Sequence, residues 1–497
     1  MRLLFSICFL SFMLSSSATD YNVLDYGAKP DGTTLCTEQI QAAINAAYRR
    51  GGGRVVIPKG RFLSGSIYLK SKIELHLEEG AILQGSVNAD HYERLGLWKA
   101  LLLSDGQHDI ALSGPGALDG NGRAVALRLD SLFYAGALDS AHYNFADRRP
   151  KFYTRPTLIQ FLNCQHVDVR NLTLRRAACW VQSYQQCEDL TIDNIRVESD
   201  TYWNNDGIDI VDCQEVRLTN SYFNCSDDGI CIKSHFANLI GENIFINNCT
   251  VRSSASAIKF GTNSLGGFRN VTIKNIKVFD TFRSAIAIES VDGGVLENIT
   301  IDSVEATNTG NAIFIKLGHR VKGDVATLKN VTIQNVKVEV PFGRPDHAYE
   351  LRGPDLPFFH NVFPSSITGF PGHYVENVVL KNIEITFPGK GNKGLAYRPL
   401  SDLDQIPEKE NVYPEFSMFG ELPAWGFYVR HVKGLVFQNI SLNLQAPDHR
   451  PTFVFDDVHG LDMREVQVLG ESKEKKVILR NTSDTKIEDS AWIQEIK

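Results

Sequence analysis

The chain has 497 residues, of which 22% are charged and 43% hydrophobic, and its formal net charge is −7. This is the composition of a soluble protein, and the length fits either several globular domains or one long repeat domain. A modest negative charge gives no support to a nucleic acid or an anionic membrane surface as a partner.

The first 18 residues predict a secretory signal. Arg2 precedes the apolar run 3–14, and small residues ending at Ala18 mark the expected cleavage site. The run is too short to anchor the chain across a bilayer, and no second long apolar run follows. We therefore expect a secreted or periplasmic protein without an integral membrane segment, in which residues 19–497 form a single domain.

One amphipathic helix is predicted near the N-terminus, over residues 37–50. Thr37 is placed to cap it, apolar residues recur on one side, and Gly51 follows its end. Short alternating strands follow at 54–58, 66–69, 73–77 and 82–85. Since no later stretch resembles this helix, we expect it to cover the exposed end of a strand array.

From about residue 166 the sequence repeats a short motif, Asn-(Val/Ile)-Thr-Ile-x-Asn, with looser copies among clear ones. The leading apolar residue of each copy recurs every 23 to 32 residues, at Val167, Leu190, Val216, Ile244, Val271, Ile299 and Val331. Short β-branched strands at this period, without the two-residue glycine turns of hairpins, predict a solenoid. The expected fold is all-β, a parallel β-helix with an N-terminal capping helix and long loop insertions.

Two further features are interpreted as products of the repeat. Most of the eight Asn-x-Ser/Thr sequences coincide with the repeat, where Asn marks a turn, and are not interpreted as glycan sites. The eight cysteines after the signal are expected to be mostly free and buried. One interior stack is predicted for Cys164, Cys187, Cys213 and Cys249, and none of the cysteines has metal-ligand spacing.

Three long insertions interrupt the period, at 123–155, 342–373 and 388–425, and all are rich in aromatic residues. Loops of this length are usually functional or disordered, and aromatic content argues against disorder. Two interpretations remain open: the aromatic rings bind sugar, or they only cover the coil.

Two acid-bearing corners, at 204–207 and 226–229, each precede a short alternating strand. Asp227 follows Asp206 by 21 positions, which predicts consecutive coils and brings Asp206, Asp227 and Asp228 into one patch. Crowded carboxylates retain at least one proton, and glycoside hydrolysis needs a protonated acid beside ionised bases. The alternative is that both corners are ordinary Asp-Gly turns.

Several stretches together carry a resemblance to a known family. They are YNVLDYGAKPDG at 21–32, GGGRVVIPKGRFLSGSIYL at 51–69, LHLEEGAILQGS at 75–86, ALSGPGALDGNG at 111–122, RPTLIQF at 155–161 with Trp180, NNDGIDI at 204–210 and SDDGICIKS at 226–234. Over nearly its whole mature length the chain resembles glycoside hydrolase family 28, the polygalacturonase family.

The resemblance implies a right-handed parallel β-helix and hydrolysis with inversion at the anomeric carbon. By the motif match, Asp227 would be the general acid, and Asp206 and Asp228 would hold and activate the water. Asn204 begins the first acid motif and is a candidate for substrate binding. Asn205 takes the place of the threonine that the family has there.

Two basic motifs of the family are missing. Ser256 stands where the histidine of Gly-His-Gly is expected, and Glu289 where the lysine of Arg-Ile-Lys is expected. In the family those basic residues meet the galacturonate carboxylate, and a carboxylate beside Glu289 would meet like charge. We therefore expect poor activity on unbranched polygalacturonan, with Ser256 and Glu289 contacting a different or decorated substrate. The alternative is that Glu289 pairs with a lysine and never meets substrate.

The remaining candidates for substrate binding are four cationic side chains and one histidine. A carboxylate could be bound by Lys233, Lys259, Arg283 or Lys316, and hydroxyl groups by His235. The alternative for each is an ordinary solvated surface charge.

The sequence thus predicts an exo-acting glycosidase, without metal or cofactor, on a pectin-related or other plant polysaccharide or oligosaccharide. One alternative is a polysaccharide lyase, which would need Ca²⁺ held by carboxylates and a basic residue to take the proton. Another is a catalytically silent glycan-binding protein, against which the three retained acids argue. Nothing in the sequence indicates an oligomeric state.

Overall fold

The structure of the protein is a computed structural model that describes residues 20–349, 361–394, 397–470, 476–490 and 494–496. The predicted signal over residues 1–18 lies outside these ranges. Within them, no helix combines the length and the apolarity needed to cross a membrane.

Short strands dominate the N-terminal part of the chain. They are β1 (Asp20–Asn22), β2 (Asp31–Leu35), β3 (Gly53–Ile57), β4 (Gly60–Ser64), β5 (Ile67–Tyr68), β6 (Ile73–Leu77), β7 (Ala81–Gly85), β8 (Arg94–Leu95), β9 (Trp98–Asp105), β10 (His108–Ser113), β11 (Ala117–Asp119), β12 (Tyr143–Asn144), β13 (Arg149–Pro150), β14 (Thr157–Leu162), β15 (Gln165–Arg170) and β16 (Thr173–Arg175). Only the small pairs β8–β9 and β12–β13 are antiparallel among these described strands.

Longer strands follow as the repeat becomes regular. They are β17 (Gln182–Gln185), β18 (Glu188–Asp193), β19 (Arg196–Ser199), β20 (Ile208–Val211), β21 (Gln214–Thr219), β22 (Tyr222–Cys225), β23 (Ile230–Ser234), β24 (Gly241–Ser253), β25 (Ile258–Ser264), β26 (Gly267–Ser290), β27 (Val295–Leu317), β28 (Thr327–Glu339), β29 (Ser365–Thr368), β30 (Val375–Phe387), β31 (Phe427–Leu444), β32 (Phe453–Gly470), β33 (Lys476–Arg480), β34 (Lys486–Glu488) and β35 (Gln494–Ile496).

Parallel pairing stacks these strands into the three faces of one right-handed β-helix. Face 1 begins with β1, β3, β6 and β10, and face 2 with β2, β4, β7 and β11. Face 3 contains β5, β9, β14, β17, β20, β23 and β25. Long strands such as β26 and β27 continue from one face to the next. The predicted fold class is confirmed.

The apolar positions of the repeat form the inward side of face 1. The seven leading residues pair in register across consecutive coils, from Val167 and Leu190 to Ile299 and Val331. Each of the seven is at most 2% exposed. Each coil therefore buries its apolar side chains against its neighbours, as expected of a repeat array.

The asparagines that precede these positions turn the corners of the coil. Asn243, Asn270, Asn298, Asn330 and Asn377 all adopt the left-handed conformation, with φ between 55° and 59°. Asparagine is one of the few non-glycine residues that tolerate this region. Their amides also form a ladder, in which the last four each donate to the preceding asparagine at 3.0–3.3 Å. The predicted turn role of the repeat asparagines is confirmed.

Helix α1 (Thr37–Arg49) covers the N-terminal end of the coil, as predicted. Gln41 exchanges two hydrogen bonds with the main chain of Tyr68, at 2.8 and 3.0 Å, and so covers an exposed strand edge. The predicted cap is wrong, because Thr37 is the first helical residue and Cys36, which precedes it, makes no capping hydrogen bond with its side chain. Thr37 Oγ1 instead accepts a hydrogen bond from the Gly65 N–H.

A second helix, α2 (Gly122–Tyr134), corrects the expectation that no later helix exists. It opens the insertion 123–155 and buries Val125 and Leu129 against Ala89 and Ala178. These two residues are one helical turn apart, a signal that the aromatic content of the insertion obscured. The 3₁₀ helices are Val23–Tyr26, Ala89–His91, Ser140–His142, Phe152–Thr154 and Leu400–Gln405.

All eight cysteines among the described residues are free and buried, as predicted. Cys164, Cys187 and Cys213 occupy the same corner of three consecutive coils, where each main-chain carbonyl receives a hydrogen bond from the next coil. The predicted fourth member is wrong. Cys249 lies in β24 on face 2, opposite Ile276, because 36 residues carry it beyond one full coil.

The described part of the insertion 388–425 covers the outer side of face 3. Its Phe416, Phe419 and Leu422 pack with Phe314 and Tyr428, whose side chains point away from the core of the coil. In this segment the aromatic residues do cover the coil, which was one of the two interpretations left open.

Candidate active site

The two acid-bearing corners lie on consecutive coils where the chain enters face 3. Asp209 on β20 pairs with Cys231 on β23, and the Gly207 N–H donates to the Asp228 carbonyl at 2.9 Å. A Cβ atom at Gly207 would lie 2.6 Å from the carbonyl oxygen of Gly229. Glycine after the acid thus permits close stacking of the two coils, which is a packing requirement rather than a turn requirement.

Two buried lysines form ion pairs with the acids. Lys233 Nζ donates to Asp206 at 2.9 Å and also contacts Asp209, while Lys259 Nζ lies 3.0 Å from Asp228. Both ammonium groups come from the outward side of face 3 and are less than 10% exposed. Buried carboxylates require such partners to remain charged.

The same lysines bear on whether the acids could hold a metal ion. The ligand atoms of Asp206, Asp228 and Cys231 lie within 4.8 Å of one another, a spacing that a cation could use. Lys233 and Lys259 already supply positive charge to both carboxylates, and burial raises the pKa of the Cys231 thiol well above its ordinary value. A protonated thiol and ammonium-paired carboxylates are poor ligands, so this donor set does not fit a metal.

The pKa values of the adjacent acids Asp227 and Asp228 are shifted in opposite directions. Burial and the neighbouring carboxylate of Asp228 raise the pKa of Asp227 above its ordinary value, against the opposing charge of Arg283. Burial also acts to raise the pKa of Asp228, but Lys259 and Lys233 outweigh it and bring that pKa below its ordinary value. The pair therefore offers one protonated and one ionised carboxyl group over a shared range of pH.

Asp206 shares its lysine with a fourth carboxylate, Asp209. Burial raises the pKa of Asp209 to about 7, and burial likewise raises that of Asp206, although Lys233 opposes both shifts. One ammonium group between two buried carboxylates favours retention of a proton by the pair. Asp228, which has Lys259 to itself among these acids, is the most firmly ionised of the group.

A chain of contacts holds Asp227 from the other side. Arg155 is fully buried, and its guanidinium donates to the Asn204 side-chain oxygen at 2.8 Å. Asn204, in the left-handed conformation with φ 59°, in turn donates to Asp227 Oδ2 at 3.3 Å. Arg155 also donates to the carbonyls of Ala178 and Trp203, so it joins its own segment to two others around the acid.

A cleft of about 460 Å³ opens over Asp227, which is half-buried at its floor. Its lining residues are Asp147, Arg149, Trp203, Asn204, Ser226, Asp227, Ser254, Ala255, Arg283 and Tyr413. Arg149 comes from the insertion 123–155 and packs over the ring of Trp203, while Tyr413 comes from the insertion 388–425. Both insertions therefore wall the cleft, and a volume of this size accommodates a small ligand.

Of the residues predicted to bind substrate, Asn204 and Arg283 line this cleft and the others lie outside its lining. Lys233, Lys259 and Glu289 are buried at 7%, 2% and 2% exposure. The Ser256 side chain is also buried, and its main-chain N–H donates to Asp228 Oδ1 at 3.1 Å.

Glu289 faces its lysine neighbour rather than the cleft. It lies 4.0 Å from Lys259 Nζ and accepts a hydrogen bond from Thr262. Burial raises its pKa to about 7. Lys316, another candidate, donates a hydrogen bond to the main-chain carbonyl of Glu408. For His235, burial lowers the pKa to about 4.

Sequence reasoning did not single out Asp209, Arg155, Arg149, Trp203 or Tyr413. Asp209 had a detectable signal, since it is an outward polar position in an alternating strand directly after Asp206. Arg149, Arg155 and Tyr413 lie outside the acid motifs, and only the folding of distant segments brings them to the site.

A parallel β-helix in which an acid with a raised pKa lines the cleft, next to a buried acid with a lowered pKa, has the site of a glycoside hydrolase. The sequence profile of glycosyl hydrolases family 28 matches residues 50–344, and the chain belongs to this family. It is thus an enzyme that hydrolyses glycosidic bonds.

A curated relative and two solved structures are similar to this chain over most of its length. A probable polygalacturonase of Vitis vinifera is 23% identical over 450 residues, covering 80% of this chain and 84% of its own length. The exopolygalacturonase of Thermotoga maritima has a TM-score of 0.57 at 23% identity and covers 74% of this chain and 87% of its own. The family 28 exopolygalacturonase of Yersinia enterocolitica has a TM-score of 0.55 at 18% identity, covering 95% and 78%.

Proposed function

We propose that this protein is an exo-acting, inverting hydrolase of galacturonate-containing pectic chains. The observation that carries the proposal is the division between Asp227 and Asp228, one with a raised and one with a lowered pKa, beneath a cleft walled by two insertions. The names of the relatives, polygalacturonase and exopolygalacturonase, support the same substrate class.

In the proposed reaction, the protonated Asp227 carboxyl gives its proton to the glycosidic oxygen as the bond to the anomeric carbon breaks. The ionised Asp228 carboxylate, together with Asp206, takes a proton from a water molecule that attacks that carbon from the opposite side. The ring carbon is inverted, and the products are a sugar with a new hydroxyl group and a shortened chain. Asn204 and Arg155 hold the acid in place.

Exo action is supported by the walls of the cleft. Arg149 packs over Trp203 and Arg283 lies beside Tyr413, all four line the cleft with Asp227, and two of the four come from insertions into the coil. A walled cleft accepts the end of a chain more readily than its middle, which must extend beyond the site in both directions.

An acidic sugar is supported by the charges in the lining. Arg149 and Arg283 line the cleft, and Arg149 pairs with Asp147 of the same lining at 3.1 Å, whereas Glu289 is buried beside Lys259 outside the lining. The expectation of poor activity on unbranched polygalacturonan depended on Glu289 meeting the substrate. Since the side chain is turned to Lys259, the proposed substrate includes unbranched galacturonan.

The two alternatives have less support. A Ca²⁺-dependent lyase would need carboxylates free to bind the cation, and Lys233 and Lys259 already pair with Asp206 and Asp228. A silent binding protein would not need adjacent acids with opposite pKa shifts.

We also propose that the protein is exported, to the periplasm or the medium, and acts on polymers outside the cytoplasm. The support is the signal-like sequence of residues 1–18, with Arg2, an apolar run and small residues before position 19. N-terminal sequencing of protein recovered from the medium or periplasm tests this, and a mature chain that retains Met1 would contradict it.

The test of the proposed activity is product analysis with trigalacturonate. Proton NMR should show release of galacturonic acid monomer, with the newly formed reducing end in the inverted β configuration before mutarotation. An unsaturated product absorbing in the ultraviolet would indicate a lyase. Release of the retained α anomer would exclude inversion, and absence of any cleavage, with binding preserved, would favour the silent protein.

A further inference from the structure

One residue of the cleft connects a distant insertion to the catalytic acids. Tyr413 lies in the insertion 388–425, and its hydroxyl oxygen accepts a hydrogen bond from Lys259 Nζ at 2.8 Å. Lys259 is the same ammonium group that lies 3.0 Å from Asp228. The two residues are 154 positions apart, so the insertion must be folded onto face 3 for this contact to exist.

The contact fixes the direction of the Tyr413 hydroxyl group. A phenol can accept and donate, whereas an ammonium group can only donate. Because the Lys259 ammonium group donates its hydrogen bond to the phenolic oxygen, the phenolic proton can still be donated to another partner. Tyr413 lines the cleft with Asp227 and its side chain is 49% exposed, so that partner can be a bound ligand.

Arg283 stands beside this hydroxyl group. Its guanidinium carbon lies 5.8 Å from the centre of the Tyr413 ring, and it also lines the cleft. Glu415, two residues after Tyr413, holds the guanidinium through an ion pair of 3.4 Å. A guanidinium group has five donors, so one weak ion pair leaves donors for a ligand.

A fixed phenolic donor next to a guanidinium group matches the two oxygens of a carboxylate. Ser256 and Glu289, the positions where basic residues were expected, supply no cation to the cleft. Glu415 carries the same charge as a ligand carboxylate, and it is absent from the cleft lining.

We propose that Tyr413 and Arg283 form the subsite that binds the carboxylate of the uronic acid at the cleavage position. This inference rests on the proposed function and names how its substrate is selected. The Tyr413 hydroxyl donates to one carboxylate oxygen, and Arg283 pairs with the carboxylate from the side. Specificity for the acidic sugar then comes from Tyr413 of an insertion together with Arg283 of β26, whereas the catalytic acids all come from the coil.

A purely structural role for Tyr413 is the competing interpretation. In that case the residue only satisfies Lys259, and its removal would weaken every substrate equally or lower the stability. The carboxylate subsite instead predicts an effect that depends on the charge of the sugar. The uncharged comparison is the methyl ester of the same oligosaccharide.

The kinetic test compares trigalacturonate with its fully methyl-esterified form. Tyr413→Phe should raise KM for trigalacturonate about tenfold with little change in kcat, as expected for a lost hydrogen bond to a charged group. For the ester the change should stay within about twofold. Arg283→Gln should reduce the preference for the acid over the ester by at least about tenfold.

Matched controls use residues that do not line the cleft. Tyr222 packs against Arg196, and Arg170 pairs with Asp168 at the surface. Tyr222→Phe and Arg170→Gln should leave both KM values unchanged. Equal losses on acid and ester in Tyr413→Phe, or a loss confined to kcat, would overturn the subsite.

A binding measurement keeps the subsite testable even if trigalacturonate is not cleaved. Calorimetry on the Asp227→Asn protein should show tighter binding of trigalacturonate than of its ester, and adding Tyr413→Phe should remove about tenfold of that difference. Failure of hydrolysis with this preference intact would refute the proposed activity and leave the subsite standing. Equal binding of acid and ester would refute the subsite, whatever the activity.

Discussion

The outward side of face 3 changes character along its length. At corresponding positions of consecutive coils, the row begins with Asp209, Cys231 and Lys259 and continues with Ala287 and Phe314. Ser366, Tyr428, Val454 and Ile478 complete the row. The first half faces the acids, and the second half is covered by the insertion 388–425.

One backbone pattern thus supports two kinds of outward surface on face 3, a charged one at the cleft and an apolar one under the insertion. Inward residues on both halves are apolar and buried, so the coil itself is alike. Outward residues are not needed for the coil, and their role depends on what lies over them. Where the insertion covers them they form a second apolar cluster, and where the cleft opens they hold paired charges.

The covered half should be the more sensitive to loss of volume. Phe314→Ala removes a buried aromatic ring from the cluster beneath the insertion, and we expect a loss of about 3–5 kcal/mol in the free energy of unfolding. Phe245→Ala is the control, because Phe245 is only half-buried on another face. Urea denaturation measures both, and equal losses would show that the insertion does not build a second core.

In the cleft half, a substitution should lower the activity of the enzyme rather than its stability. Asp227→Asn preserves size but removes the proton donor, so kcat should fall at least about a hundredfold. The melting temperature should not decrease, because the raised pKa of Asp227 means that the native site does not require its charge. The surface variant Asp189→Asn serves as control, and a correctly folded Asp227→Asn enzyme with near-normal turnover would refute the assignment.

Glu289 lies between the two halves of face 3, and its burial should make the stability of the protein depend on pH. Its pKa is raised to about 7 by burial, so it contributes stability at low pH that is lost as the pH rises from its ordinary pKa through about 7. Glu289→Gln should remove that loss, on the order of 1–3 kcal/mol, and flatten the unfolding free energy over this range.

Activity gives the second readout for Glu289→Gln. Since the side chain lies outside the cleft lining, kcat/KM on trigalacturonate should change by less than about threefold. A large change with an unaltered pH dependence of stability would instead place Glu289 in contact with substrate.

The corners of the coil should show the smallest effect. Asn298→Ala forces a residue with a Cβ atom into the left-handed conformation without its ladder bonds, at a cost of about 1–2 kcal/mol. Asn298→Gly should recover most of this loss, because glycine adopts φ 59° without strain. Thermal unfolding compares the two, and equal stability would contradict the turn role.

Much of this architecture could be predicted from local patterns. Alternating apolar residues at a period of 23 to 32 fix the register from Val167 to Val331, because each inward residue needs an inward neighbour. Spacing also predicted that Asp206 and Asp227 lie on consecutive coils, since 21 residues correspond to about one turn of the repeat.

The parts that could not be predicted depend on distant contacts. Tyr413 meets Lys259 only because the insertion packs on Phe314 and its neighbours. Arg155 reaches Asn204 from a coil 49 residues earlier. Glu289 was expected to face a substrate, whereas its burial beside Lys259 follows from side-chain directions that the sequence does not specify. Whether a charged residue on an outward position meets substrate is thus decided by what covers it.

The proposed mechanism requires that Lys259 keep Asp228 ionised while Asp227 stays protonated, and the pH dependence of kcat/KM tests this requirement most directly. Activity requires a pH above the lowered pKa of Asp228 and below the raised pKa of Asp227. The profile of kcat/KM against pH therefore has an acidic limb set by Asp228 and an alkaline limb set by Asp227. Lys259→Met removes the opposing charge and should move the acidic limb upward by at least about one pH unit. Lys316→Met, which removes a buried lysine farther along the same face, should leave it in place. An acidic limb that does not move in folded Lys259→Met protein would contradict the account.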